Sequence, residues 1–225
     1  MKRSFQIIIV TCLLVFLLTA VNKAQAGEKG EIGFSAGSGF YQVVDDRRKN
    51  GYNLNLSLNY ALDEKDRAVL YFEHLNIDNS GEVLQTSAGD VKVRTDITAE
   101  IGEFRLMREI IADILDVGIG LGAARMEVVS KPDQDMIGPE ALSLARDKTT
   151  VPVVDVLGRI TALNKLGKRS AAKIYLDLGY RFLDIDDLDI SRSIGISGGA
   201  VDVLGDVTID DLSGFFANIG LAVGF

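Results

Sequence analysis

The sequence predicts an all-β fold, an eight-stranded antiparallel transmembrane β-barrel, and three observations lead there. Apolar and polar residues alternate in segments spread along the chain, the connections between them alternate short and long, and an apolar leader with a small-residue cleavage site precedes them. A period of two places successive side chains on opposite faces of a sheet. In a barrel that crosses a bilayer one face meets lipid and the other the lumen, so alternation becomes apolar-out and polar-in. Ten strands is the alternative count.

The leader comes first. Met1, Lys2 and Arg3 give a charged start, residues 5–20 (FQIIIVTCLLVFLLTA) are almost uniformly apolar, and Ala24-Gln25-Ala26 precedes Gly27. That order reads as a secretory signal peptide over residues 1–26, leaving 27–225 as the barrel domain. As a membrane helix the run is short of the roughly 20 residues a span needs, and no stop-transfer pattern follows. Cys12 is the only cysteine, and Thr11 before it is not what a lipoprotein site wants. The mature chain then holds no disulfide and rests on hydrogen bonding and packing.

The segments follow in order. Residues 31–41 (EIGFSAGSGFY) set Ile32, Phe34, Ala36 and Phe40 against Gly33, Ser35, Gly37 and Gly39. Residues 52–62 (YNLNLSLNYAL) are the cleanest, a row of Leu ending in Tyr52 and Tyr60 against Asn53, Asn55, Ser57 and Asn59, which reads as a lipid band between interfacial aromatics. Residues 67–77 leave their phase open, because Val69, Leu70, Tyr71 and Phe72 are all apolar. Residues 90–101 set Val91, Val93, Thr95, Ile97, Ala99 and Ile101 against Lys92, Arg94, Asp96, Thr98 and Glu100. Residues 115–123, 154–162 and 172–182 keep the same rule, the last with Ile174, Leu176, Leu178, Tyr180 and Phe182 against Lys173, Tyr175, Asp177, Gly179 and Arg181. Residues 215–225 (FFANIGLAVGF) close the set.

The connections decide between a barrel and a soluble β-sandwich, which the composition of 47% hydrophobic residues also permits. Residues 63–66, 103–113 and 164–170 form the shorter set, and residues 43–51, 78–89, 130–150 and 183–212 the longer. Short turns on one side and long loops on the other is the rule for an outer-membrane barrel, and nothing in a sandwich requires it. With apolar faces toward lipid, Lys92, Arg94, Asp96, Glu100, Asp116, Asp155, Arg159, Lys173, Asp177 and Arg181 are expected in the lumen. A charge facing lipid at mid-membrane costs roughly 2 to 4 kcal/mol. Eight strands leave an interior just wide enough for side chains to fill, so mixed charges pair into a plug, with a narrow ion-conducting path as the other reading.

The terminal alternating strand ends on Phe225, and this resembles the C-terminal signature of bacterial outer-membrane β-barrels. The resemblance implies that Phe225 belongs to the segment read by the barrel assembly machinery. In architecture, residues 27–225 resemble the OmpA- or OmpX-like and OmpW-like proteins, though no residue motif ties the chain to one of those families. The implied partners are outer-membrane lipids, the assembly machinery and an extracellular ligand of the loops. The expected role is structural or surface-interacting, then a narrow pore, then a lipid A-modifying hydrolase, at the cell outer membrane. A net charge of -8 argues against nucleic acid, which needs a basic partner.

No catalytic, cofactor or metal site is expected. His74 is the only histidine, and the small-barrel lipid A deacylases carry a His followed two residues later by Ser-Asn. Here Asn76 and Ile77 occupy those positions and the nucleophile is missing, so His74 reads as an interfacial residue at the rim of its strand. Asp184, Asp186, Asp187, Asp189, Asp206, Asp210 and Asp211 make the last loop acidic without the spacing of an EF-hand. Such a loop is solvated, or holds Ca²⁺ or Mg²⁺ through oxygen ligands. Gly118, Gly120 and Gly122 form a GxGxG run inside a strand rather than at a strand-to-helix turn, so they make room in the lumen instead of binding a dinucleotide. Residues 139–146 (PEALSLAR) read as a short helix opened by proline. The absence of Trp and an aromatic content of 7% predict thin interfacial girdles.

Overall fold

The computed structural model describes residues 30–44, 50–86, 89–132, 145–163, 172–189, 194–196, 199–201 and 208–224. Eight antiparallel strands close on themselves: β1 (Ile32–Val43), β2 (Gly51–Ala61), β3 (Asp66–Thr86), β4 (Gly89–Ile111), β5 (Leu115–Pro132), β6 (Ala145–Leu163), β7 (Ala172–Phe182) and β12 (Gly214–Gly224). Among the described residues, four short strands lie between β7 and β12. Of these, β8 (Asp184–Asp189) pairs with β11 (Thr208–Asp211), and β9 (Ile194–Ile196) with β10 (Gly199–Val201). The barrel closes where β1 meets β12, in unbroken register from Gly33 opposite Gly224 to Val43 opposite Gly214. Closure leaves no unpaired edge in the wall that faces lipid.

The strands of the middle of the chain are longer than alternation alone suggested. Residues 103–111, expected as a connection, continue β4, because Phe104 and Leu106 point outward while Glu103 and Arg105 are buried inside. The turn to β5 is confined to residues 112–114, where Asp113 adopts a positive φ of 60°. Residues 78–86 and 89, expected in a long loop, extend β3 and β4. Ala145 and Arg146, the end of the expected helix, open β6, and residues 139–144 lie outside the described ones.

This extra length divides the barrel into two zones. Across six strands, Leu58, Leu70, Phe104, Leu121, Val154 and Phe182 stand side by side on the outer surface and are all exposed. They form the apolar belt a bilayer requires. Two outward-facing rows nearer the loops, Leu54, His74, Glu100, Arg125 and Thr150 stand in register, and there the outer surface of β3 to β6 turns polar. The interior changes in the opposite sense. Inside the belt it holds Glu73, Glu103, Arg105, Asp155 and Arg181. Nearer the loops it holds Leu75, Ile77, Ile97, Ala99, Ile101, Met126, Val128, Val151 and Val153.

The physical reason is the solvent outside. Against lipid the outer face must be apolar and the lumen can be polar. Where the wall stands in water, the hydrophobic effect drives apolar side chains inward, as in any soluble barrel.

The inversion corrects two expected lumen residues. Glu100 faces outward with its side chain 74% exposed, and Asp96 shares that outer parity, while their apolar neighbours Ile97, Ala99 and Ile101 fill the interior. The alternation of residues 90–101 was legible, but this stretch lies beyond the belt, so its apolar face points in. Lys92 and Arg94 lie in β4, and their side chains fall outside the described residues.

Candidate functional site: the charged lumen layer

At the height of the apolar belt, Arg181 of β7 is fully buried and reaches three carboxylates on three other strands. Its Nη1 donates to Glu73 Oε1 at 2.6 Å, its Nη2 to Glu103 Oε1 at 3.1 Å, and its Nε to Asp155 Oδ1 at 2.9 Å. Arg105 completes the layer, donating from Nε to Glu103 Oε2 and from Nη2 to Asp155 Oδ2, both at 2.7 Å. Its guanidinium lies 3.2 Å from the centre of the Tyr71 ring, and Phe216 stands between the two cations at 5.8 Å from Arg105 and 5.2 Å from Arg181. The Tyr71 hydroxyl donates to Glu73.

Two guanidiniums thus face three carboxylates, and all five side chains are buried. Charges so placed are tolerated only when paired and hydrogen-bonded, and the planar fork of arginine suits that role. Strand parity brings them together. Glu103 and Arg105 are two residues apart on β4 and so share a face. The glycines of β5 clear the space they occupy: a Cβ on Gly120 would lie 2.8 Å from Glu103 Oε2 and 3.0 Å from Arg105 Cγ.

Toward the turns, Arg159 and Asp177 pair across β6 and β7, and Arg67 bridges Asp116 at 3.0 Å and Glu109 at 3.4 Å. Lys173 meets Asp113 at 3.1 Å. Below them a cavity of about 400 Å³ opens at the turn end, bordered by Asn59, Arg67, Arg159, Lys173 and Tyr175. Above them, beyond the layer, the apolar interior is capped by Leu183, Ile185 and Leu212, with Tyr41 donating its hydroxyl to the Leu212 carbonyl at 2.6 Å.

Of the expected lumen charges, Asp116, Asp155, Arg159, Asp177 and Arg181 are buried inside, and Lys173 is half-buried at the mouth. Sequence reasoning missed Glu73, Glu103, Arg105, Arg67 and Glu109. The unbroken alternation Glu103-Phe104-Arg105-Leu106 was the signal that could have found Glu103 and Arg105. His74 lies on the outer face with its Nδ1 3.8 Å from Glu100 Oε1. The side chains of Asp186, Asp187, Asp189, Asp206 and Asp210 fall outside the described residues, and Asp211 accepts from the Ser213 backbone N–H at 2.7 Å. Among the described residues no group of three His, Cys, Asp or Glu side chains is placed to hold a metal.

A closed eight-stranded antiparallel barrel with an apolar belt is the fold of the small outer-membrane β-barrel proteins. The solved structures bear this out. The outer membrane protein OprG from Pseudomonas aeruginosa is similar over 90% of this chain and 99% of its own, at 12% identity and a TM-score of 0.51. Ail, the attachment invasion locus protein of Yersinia pestis, is similar over 88% of this chain and 99% of its own, at 12% identity and a TM-score of 0.50. At that identity the likeness is one of fold. No protein-family model matches the sequence, and no curated protein matches it.

Proposed function

We propose that this chain, after loss of residues 1–26, is an outer-membrane barrel whose lumen is plugged by ion pairs and which acts through its extracellular face as a structural or surface-interaction protein. The observation that carries the plug is Arg181, buried against Glu73, Glu103 and Asp155, so that the wall is tied across its own lumen by one side chain. The apolar interior above that layer adds a second barrier, since an ion would have to shed its water to cross it. Support for a surface role is the wall of β3 to β6, which continues past the belt with Glu100 and Arg125 outward.

The reading assigns no catalysis. His74 pairs with Glu100 on the outer surface, and Asn76 and Ile77 stand where a deacylase carries its Ser-Asn. The cavity of about 400 Å³ at the turn end favours the second reading, a narrow conducting path that narrows above it. Planar-bilayer recording of the refolded mature chain separates them. Current at the level of the bare membrane is expected, and discrete conductance steps would favour the pore. Lipid A mass spectra unchanged by expression are expected, and a new lipid A species would establish the hydrolase.

A further inference from the structure

A column of amides and hydroxyls runs along β1, β2 and β12 from the cavity to the charged layer. Asn59 borders the cavity and donates to both Ser35 Oγ and Ser57 Oγ at 3.5 Å. Next comes Asn55, whose Oδ1 accepts from the Tyr175 hydroxyl at 3.3 Å. Asn53 follows, donating to Asn218 Oδ1 at 2.8 Å, and Asn218 donates to the Tyr71 hydroxyl at 3.3 Å. Tyr71 in turn donates to Glu73, the partner of Arg181.

The column is polar throughout and incomplete at its centre. Asn53 Oδ1 and Asn55 Nδ2 are buried and find no partner among the protein's atoms. One is an acceptor and the other a donor, on residues that share a face of β2 roughly 7 Å apart. Turning Asn55 over would let its Nδ2 donate to the Tyr175 hydroxyl and leave Oδ1 unpaired, and turning Asn53 over would set its Oδ1 against the Asn218 Oδ1, so neither turn satisfies both ends. A buried amide end without a hydrogen bond costs about 1 to 3 kcal/mol, so two side by side demand a ligand able to donate and accept at once. Water is that ligand, and buried waters sit where otherwise unsatisfied polar groups converge.

We infer that Asn53 and Asn55 hold bound water, and that this column hydrates the charged layer from the turn end, with Tyr175 as the lid between cavity and column. Tyr175 occupies the position a lid needs: it borders the cavity, stacks on Arg159 at 4.2 Å and bonds Asn55. Its hydroxyl would lie 2.8 Å from a Cβ on Gly37 and 2.4 Å from one on Gly220, so that glycine pair at the β1–β12 seam leaves the room the ring takes. The path ends at the apolar interior, so the inference rests on the plugged-lumen reading and adds that the plug is wet from one side.

The test is NMR of the refolded mature chain in detergent micelles, reading water-to-amide cross-peaks at the Asn53 and Asn55 side chains, with bilayer conductance measured on the same protein. Cross-peaks at both amides are expected. In the Tyr175→Ala protein the Asn55 amide protons are expected to exchange with solvent several-fold faster. Absence of cross-peaks in the parent overturns the inference, and an unchanged exchange rate in the variant overturns the role of Tyr175. Conductance in the parent would instead overturn the plugged lumen, whatever the cross-peaks show.

Discussion

Arg159 and Asp177 form a two-pronged ion pair across β6 and β7, Nε to Oδ1 at 2.7 Å and Nη2 to Oδ2 at 2.8 Å, directly opposite one another in register. Asp177 is 1% exposed, so removing its charge leaves the guanidinium uncompensated inside the barrel. Breaking one side of a buried pair costs about 3 to 5 kcal/mol, and the border with the cavity puts this site at the lower end. Asp177→Asn is therefore expected to destabilise by about 3 kcal/mol in urea titrations in lipid vesicles. The double change Arg159→Met with Asp177→Leu is expected to cost far less, because no buried charge remains.

The neighbour of Asp177 reports the other face. Leu176 points into the apolar belt, beside Ile219 on β12 and Ile160 on β6. Leu176→Arg is expected to cost roughly 2 to 4 kcal/mol in the same titration, the penalty of a cation facing lipid near mid-membrane. A neutral result would mean that residue 176 does not face lipid.

On β4 the two-zone barrel predicts the reverse of what outward apolar faces would give. Ile101 is 3% exposed inside the barrel, whereas Glu100 stands in water. Ile101→Asp is expected to destabilise by about 3 kcal/mol or more, as burial of an unpaired charge does. Glu100→Gln is expected to stay within about 0.5 kcal/mol of the parent, as exposed surface changes usually do. Equal effects at the two positions would contradict the inversion.

These residues also mark what the sequence made legible. On β2, β7 and β12 the alternation is unbroken and lies within the belt, so strand, parity and facing could all be read. On β3 four consecutive apolar residues hid the phase. Val69 and Tyr71 turn inward because Tyr71 is the platform under Arg105, and that cross-strand stacking leaves no trace in local periodicity. On β4 a period of two told which residues share a face, yet not which solvent that face meets. Where the membrane ends along a strand depends on its length and tilt, and charges at Glu103, Arg105, Arg108 and Glu109 imitated a turn. The meeting of Arg181 with Glu73 and Glu103 joins strands far apart in sequence, so only the closed barrel reveals it.

Assembly gives a further expectation. Phe225 lies outside the described residues and follows β12 in sequence, the strand whose Phe215, Ile219 and Leu221 are exposed. Phe225→Ala is expected to lower the amount of barrel that migrates fast in unheated detergent gels while leaving synthesis unchanged. Equal assembly would remove Phe225 from the assembly signal.

The most direct measurement is a cysteine scan along β4, made on a chain that starts at Gly27 and so omits the one cysteine of the sequence, Cys12. Single cysteines at 98, 100, 101, 103, 104, 105 and 106 would carry a fluorophore in vesicles, with one quencher in the lipid and one in the water. The account predicts lipid quenching at 104 and 106, aqueous quenching at 98 and 100, and protection from both at 101, 103 and 105. Aqueous quenching at 103 and 105 equal to that at 100 would show an open lumen, and lipid quenching at 101 rather than 104 would show that the faces are the other way round.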